Sequence, residues 1–137
     1  MPATCITGLL YFAVIFTFAF AMGIARALVV APRLGPTAAV LLEVPILVAA
    51  SWIVARRLLR NRSLTIAHRA VMGGTAFALT MASEAALASI LRGQSMADWA
   101  ASVTSPLGLV GLAGQIVFAA MPLFVGGRGD PSRPHAR

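Results

Sequence analysis

Four side chains able to do chemistry stand inside stretches that are otherwise apolar: Arg26, Glu43, Glu84 and Gln115. A carboxylate or guanidinium facing lipid costs roughly 2.5 to 3.5 kcal/mol on insertion scales, so such groups turn toward one another or toward a polar cavity. Arg26 can pair with Glu43 or Glu84. Two carboxylates against one guanidinium leave a surplus negative charge, which a proton, Arg92, Arg33, a cation or a ligand amine would balance. The chemistry within reach is therefore proton, cation or small-molecule binding, or else a structural polar clamp that fixes helix register. Other chemistries lack their residues. No nucleophile stands with a base and oxyanion donors, so the chain reads as a non-enzyme. The single Cys5 gives no disulfide and no CxxC pair, and both His residues lie in polar segments, so no metal and no other cofactor is expected.

The elements that must position these groups follow from composition. Of 137 residues, 59% are hydrophobic and only 11% charged, and mean hydropathy is +0.88. Soluble domains carry about a quarter charged residues, so this is the composition of a membrane protein. At this length about four helices of ~20 residues fit with short links. The predicted fold is all-α: one transmembrane domain over 1–125, an up-down-up-down bundle with spans at about 6–30, 37–55, 70–91 and 106–125. The N-terminus has no basic region and no small-residue cleavage site, so the first span is expected to be retained. Pro32, Gly35 and Pro36 break the chain after span one, and Pro36 suits the first turn of span two. Pro45 lacks the N–H that would bond to the Leu41 carbonyl, which predicts a kink beside Glu43. Ser95 and Asp98 have the spacing of a helix start with a capping carboxylate, so a short interfacial helix is expected between spans three and four. The segment 126–137 reads as a disordered cytoplasmic tail.

Small residues mark expected packing faces. Gly74, Ala78, Ala82 and Ala86 form an i+4 ladder on span three, which predicts close helix contact at the centre of the bundle. On span one, Ala13, Thr17, Ala21 and Ala25 are expected to meet a neighbour, with Phe12, Phe16 and Phe20 toward lipid. Trp52 just before Arg56 and Arg57 fits an interfacial anchor.

Arginine sets the orientation. All 11 basic residues are Arg. Five of them (56, 57, 60, 62 and 69) stand between spans two and three and three more in the tail, against Arg26, Arg33 and Arg92 at the other side. The positive-inside rule then puts both termini in the cytoplasm. At ~1.5 Å per residue, Glu43 and Glu84 lie roughly 10 Å below the outer ends of their spans, with Arg26 at a similar level and Gln115 a little deeper. One polar layer near the outer face is the consequence.

The hairpin pattern Gly23-Ile-Ala-Arg26, Pro32-Arg-Leu-Gly35 and Leu42-Glu-Val-Pro45 resembles that of small four-helix bacterial inner-membrane proteins carried as uncharacterised. The similarity is most specific over Gly23 to Pro45; elsewhere the four-helix layout and the acidic residue in span three correspond. It implies a bacterial inner membrane and no particular activity. On these grounds the leading expectation is a non-catalytic accessory or assembly subunit of a membrane complex, or a small homo-oligomer. The alternative is a small proton- or cation-coupled transporter or channel using Arg26, Glu43 and Glu84. Expected partners are the lipid bilayer and a membrane-protein partner or a second copy. The basic charge is read as a topology signal, not as a nucleic-acid site.

Overall fold

Four helices of the chain are long and apolar enough to cross a membrane, spanning Thr4–Leu34, Pro36–Leu59, Ile66–Arg92 and Pro106–Val125. The computed structural model describes residues 2–60, 62 and 64–125, so the segment expected to be a disordered tail lies outside the described residues. The order is α1 (Pro2–Ala25), a π-helical turn (Arg26–Val30), α2 (Ala31–Leu34), α3 (Pro36–Leu59), α4 (Ile66–Arg92), α5 (Met96–Val103) and α6 (Pro106–Val125).

The first hairpin is tighter than its prolines suggest. Pro32 does not stop the helix; it sits in the first turn of α2 and follows a π-helical turn in which the Ala31 N–H reaches back to the Arg26 carbonyl. An extra residue in that turn changes which carbonyls face position 32, where no N–H is available. The link then shrinks to Gly35, whose φ of 82° admits only glycine without strain. Pro36 opens α3 at its first turn, as expected. The α3 helix continues through Pro45. The basic link is also shorter than the loop expected over 56–69: Arg56 and Arg57 belong to the last turn of α3, and Arg69 to the first turn of α4. Thr65 caps α4 by accepting the His68 N–H.

Helix directions alternate, but neighbours in space are not neighbours in sequence throughout. α1 packs on α3 and α4, α6 packs on the same two, and α3 and α4 stand at opposite corners. The basic link therefore crosses one end of the bundle diagonally. At that end Arg62 donates to the hydroxyl of Thr7, tying the link to α1.

Packing is concentrated in the half that holds the termini. Tyr11 and Ile15 of α1, Ala55 and Leu59 of α3, Met72 and Ala76 of α4, and Phe118 and Met121 of α6 form the main core. Pro122, buried in α6, has no N–H to give the Phe118 carbonyl. Tyr11 takes that place: its hydroxyl donates to the Phe118 carbonyl at 2.9 Å, and its ring stacks on Phe118 at a centroid distance of 4.7 Å. A buried carbonyl freed by proline is thus satisfied by a phenol from the opposite corner.

The small-residue stripes expected to pack inward face outward. Gly74, Ala78, Ala82 and Ala86 are all exposed, and so are Ala13, Thr17, Ala21 and Ala25. The buried face of α4 is instead Met72, Gly73, Ala76, Ala85 and Ala88. That of α1 is Thr4, Thr7, Gly8, Tyr11 and Ile15. Phe12 packs against the core and Phe16 is half-buried, so the phenylalanine stripe is turned partly inward. The physical reason is that both faces of a membrane helix are apolar; size alone does not distinguish a face that meets another helix from one that meets lipid. Gly73 shows where close approach is real: a Cβ there would stand 1.9 Å from the Ala119 carbonyl oxygen.

Candidate functional site

Away from the termini the four spans part around a cavity of about 690 Å³. Its walls come from every span. Arg26, Glu43, Glu84 and Gln115 all line it, on the π-helical turn, α3, α4 and α6 respectively. The polar layer expected from depth counting is therefore the wall of a cavity.

Within that wall the groups form two pairs. Arg26 Nε lies 2.7 Å from Glu43 Oε2, with the side chains 40% and 12% exposed. The Arg26 N–H is not aligned on the carboxylate as a hydrogen bond, so the contact is an ion pair whose guanidinium is more exposed than its carboxylate. Gln115 Nε2 donates to Glu84 Oε1 at 2.5 Å. The Gln115 Oε1 is buried with no hydrogen-bond partner. The amide orientation follows from the carboxylate, since the reverse would set oxygen against oxygen. Glu84 lies in the electrostatic range of Arg92, Arg26 and Glu43. Among the described residues the Arg26–Glu43 contact is the ion pair observed, so Glu84 has a neutral amide as its direct partner.

Local structure explains the positions. The π-helical turn begins at Arg26 itself and re-aims the residues after it relative to a regular helix; such turns recur at functional sites. Glu43 is two residues before Pro45, where the helix carries fewer internal hydrogen bonds. Thr80, one turn before Glu84, donates to the Ala76 carbonyl at 2.9 Å and so is occupied with its own helix.

Sequence reasoning missed the rest of the wall. Phe16 and Phe20 line the cavity rather than lipid alone, and Trp99 of α5, the short helix expected to lie at the interface, lines it too. Of the two further arginines the sequence offered to balance the carboxylates, Arg92 reaches the wall and Arg33 is not among its lining residues. Helical spacing would have found part of this set: Phe16, Phe20, Gly23 and Arg26 follow one another at steps of four, three and three residues and so share a face.

The short helix α5 closes part of the cavity and is built as its sequence indicates. Ser95 Oγ accepts the Asp98 N–H at 3.1 Å, and Asp98 Oδ2 accepts the Ser95 N–H at 3.2 Å, a reciprocal capping box. Its other end seats closely on α6, where a Cβ on Gly108 would stand 2.0 Å from the Ser102 carbonyl oxygen. Side-chain and backbone hydrogen bonds from Ser95 hold the Asp98 carboxyl below the usual carboxylate range. A depressed folded value means that the cap is intact above the ordinary range and is lost as pH falls through the folded value. Ser95→Ala is expected to raise amide hydrogen exchange across α5 by roughly fivefold at neutral pH, leaving the core of the spans protected. Unchanged exchange in α5 would show that its seat on α6, not the cap, holds it.

Among the described residues no group of three His, Cys, Asp or Glu could hold a metal ion. No family model, no curated protein and no solved structure matches the chain, so the reading of this site rests on its geometry.

Proposed function

We propose that this chain is a small transporter or channel of the bacterial inner membrane, coupling a proton or cation to a ligand taken into the cavity, with both termini in the cytoplasm. One observation carries the reading: Arg26, Glu43 and Glu84 from three different spans line a single cavity of about 690 Å³ together with Gln115. A purely structural clamp would satisfy its polar groups and exclude space around them. Here the space remains, in the size range of small-molecule sites. The orientation rests on the arginines, which are concentrated at the end of the bundle opposite the cavity. Passage through the molecule then requires parting the Tyr11–Phe118 contact, which closes the core below the cavity.

In proteoliposomes, a proton gradient is expected to decay faster with the protein than without it. Glu84→Gln should slow that decay at least tenfold, with Glu43→Gln weaker in effect because Arg26 retains access to solvent. Equal decay in wild type and Glu84→Gln, both shown to be folded, would sink the reading.

A second reading, the accessory subunit or homo-oligomer, is favoured by the outward ladder Gly74, Ala78, Ala82 and Ala86, a smooth surface suited to another membrane helix. Mild-detergent pull-down with native-gel sizing separates the two. A single stoichiometric partner complex supports the subunit.

A further inference from the structure

We infer that the cavity is built for an amphiphile carrying a protonated primary or secondary amine, whose N–H groups are taken by Glu84 and by the free carbonyl oxygen of Gln115. The inference rests on the cavity being a ligand site, as proposed above, and adds the charge, the donor count and the shape of what occupies it.

Charge comes first. Arg26 is matched by Glu43 at 2.7 Å, which leaves Glu84 as the carboxylate without an ion-pair contact. Arg92 also lines the cavity, but it lies eight residues further along α4, more than two turns from Glu84, and makes no ion-pair contact with it. The group missing beside Glu84 is a cation. An anion would meet both carboxylates; of the two guanidiniums in the wall, Arg26 is engaged by Glu43 and Arg92 stands more than two helical turns from Glu84.

Donor count narrows the class. Gln115 spends its N–H on Glu84 Oε1, and its own oxygen is buried without a partner. A buried acceptor left unmade costs free energy, so the complementary ligand brings a donor to it. One hydrogen-bonded side-chain pair thus carries two acceptors, a carboxylate and an amide oxygen, which suits an ammonium with at least two N–H groups. A quaternary ammonium has the charge but no donor and leaves Gln115 unpaired. A bare metal ion has the charge but finds too few oxygens here.

Shape follows from the remaining wall. Phe16, Phe20 and Leu112 are among the residues that make it mostly apolar, which suits a hydrocarbon body attached to the ammonium.

The test compares three probes of one chain length on the full protein in detergent: octylammonium, octyltrimethylammonium and octanoate. Trp99 lines the cavity and Trp52 does not, so a Trp52→Phe background makes Trp99 emission the reporter. Saturable octylammonium binding is expected, at least tenfold tighter than octyltrimethylammonium, with no saturable binding of octanoate. Gln115→Leu should shrink the preference for octylammonium over octyltrimethylammonium, and Glu84→Gln should weaken both. Equal binding of the two cations, tighter binding of octanoate, or no saturable binding of any probe overturns the proposal, and these readings alter no residue of the cavity wall, Trp52 lying outside it. Gly111→Phe separates this failure from that of the cavity itself. Gly111 lines the cavity and a Cβ there meets nothing within 4 Å, so the ring enters open space. If a probe of another class binds and Gly111→Phe abolishes it, the site stands and the amine class falls. If binding survives Gly111→Phe, the cavity is not where ligand binds.

Discussion

Gly73→Ala is expected to destabilise the bundle by about 3 kcal/mol, at the upper end of overpacking substitutions, while the same change at the adjacent Gly74 leaves it unchanged or slightly more stable. The difference lies in what a Cβ would meet. At Gly73 it stands 1.9 Å from the Ala119 carbonyl oxygen and 3.0 Å from the carbonyl carbon, which are backbone atoms of α6 and have no rotamer to move into. Relief requires α4 and α6 to separate, which loosens Met72 and Ala76 from Phe118 and Met121 in the main core. At Gly74 nothing lies within 4 Å, so an added methyl costs no contact and the helix gains from losing a glycine. Unfolding by SDS titration in mild detergent, followed by circular dichroism, reads both. Equal midpoints for the two variants would show that α4 and α6 do not approach at Gly73.

The ion pair predicts an asymmetric double-mutant cycle. Arg26→Leu leaves the Glu43 side chain, 12% exposed, as a carboxylate without a partner. A cost of about 2 to 3 kcal/mol is expected, below the full range for breaking buried pairs because Arg26 itself is 40% exposed. Glu43→Leu leaves the guanidinium, which can swing toward solvent, so about 1 kcal/mol is expected. The double variant replaces both by apolar groups and should fall near wild type, giving a coupling of about 3 to 4 kcal/mol. The same titration measures all four. Additive single effects would mean that the two residues do not act together.

How much of this was legible follows element by element. Span number, the start at Pro106 and the capped helix after Ser95 all rest on strong local chemistry: continuous hydropathy, a first-turn proline, a Ser–Asp pair three apart. The polar layer was legible too, because the depth of a charge in a helix depends on counting alone. Which face points inward was not. Gly73 and Gly74 differ by about 100° around α4, and in a lipid-embedded helix no polar side marks the outside, so the choice between them is made by the shape of α6. The π-helical turn at Arg26 was equally hidden, since its sequence of Ala, Leu and Val favours no particular register and the cause lies ahead at Pro32. The Tyr11 contact could have been anticipated in part: a proline within a span always leaves a carbonyl four residues earlier, but not which helix answers it.

The division of the polar wall into two pairs bears on biogenesis. Arg26 and Glu43 both belong to the hairpin joined by Gly35, and Glu84 and Gln115 both belong to the hairpin that carries α5. Each hairpin can thus enter the bilayer as a unit with its polar groups already in contact with each other, before the other arrives. The two substitutions above then strike different stages. Arg26→Leu burdens the insertion of the first hairpin, whereas Gly73→Ala acts on the later docking of α4 against α6 and leaves both hairpins inserted. A membrane-extracted fraction of the first variant should therefore fall at synthesis, while the second should reach the membrane in full and fail only as a bundle.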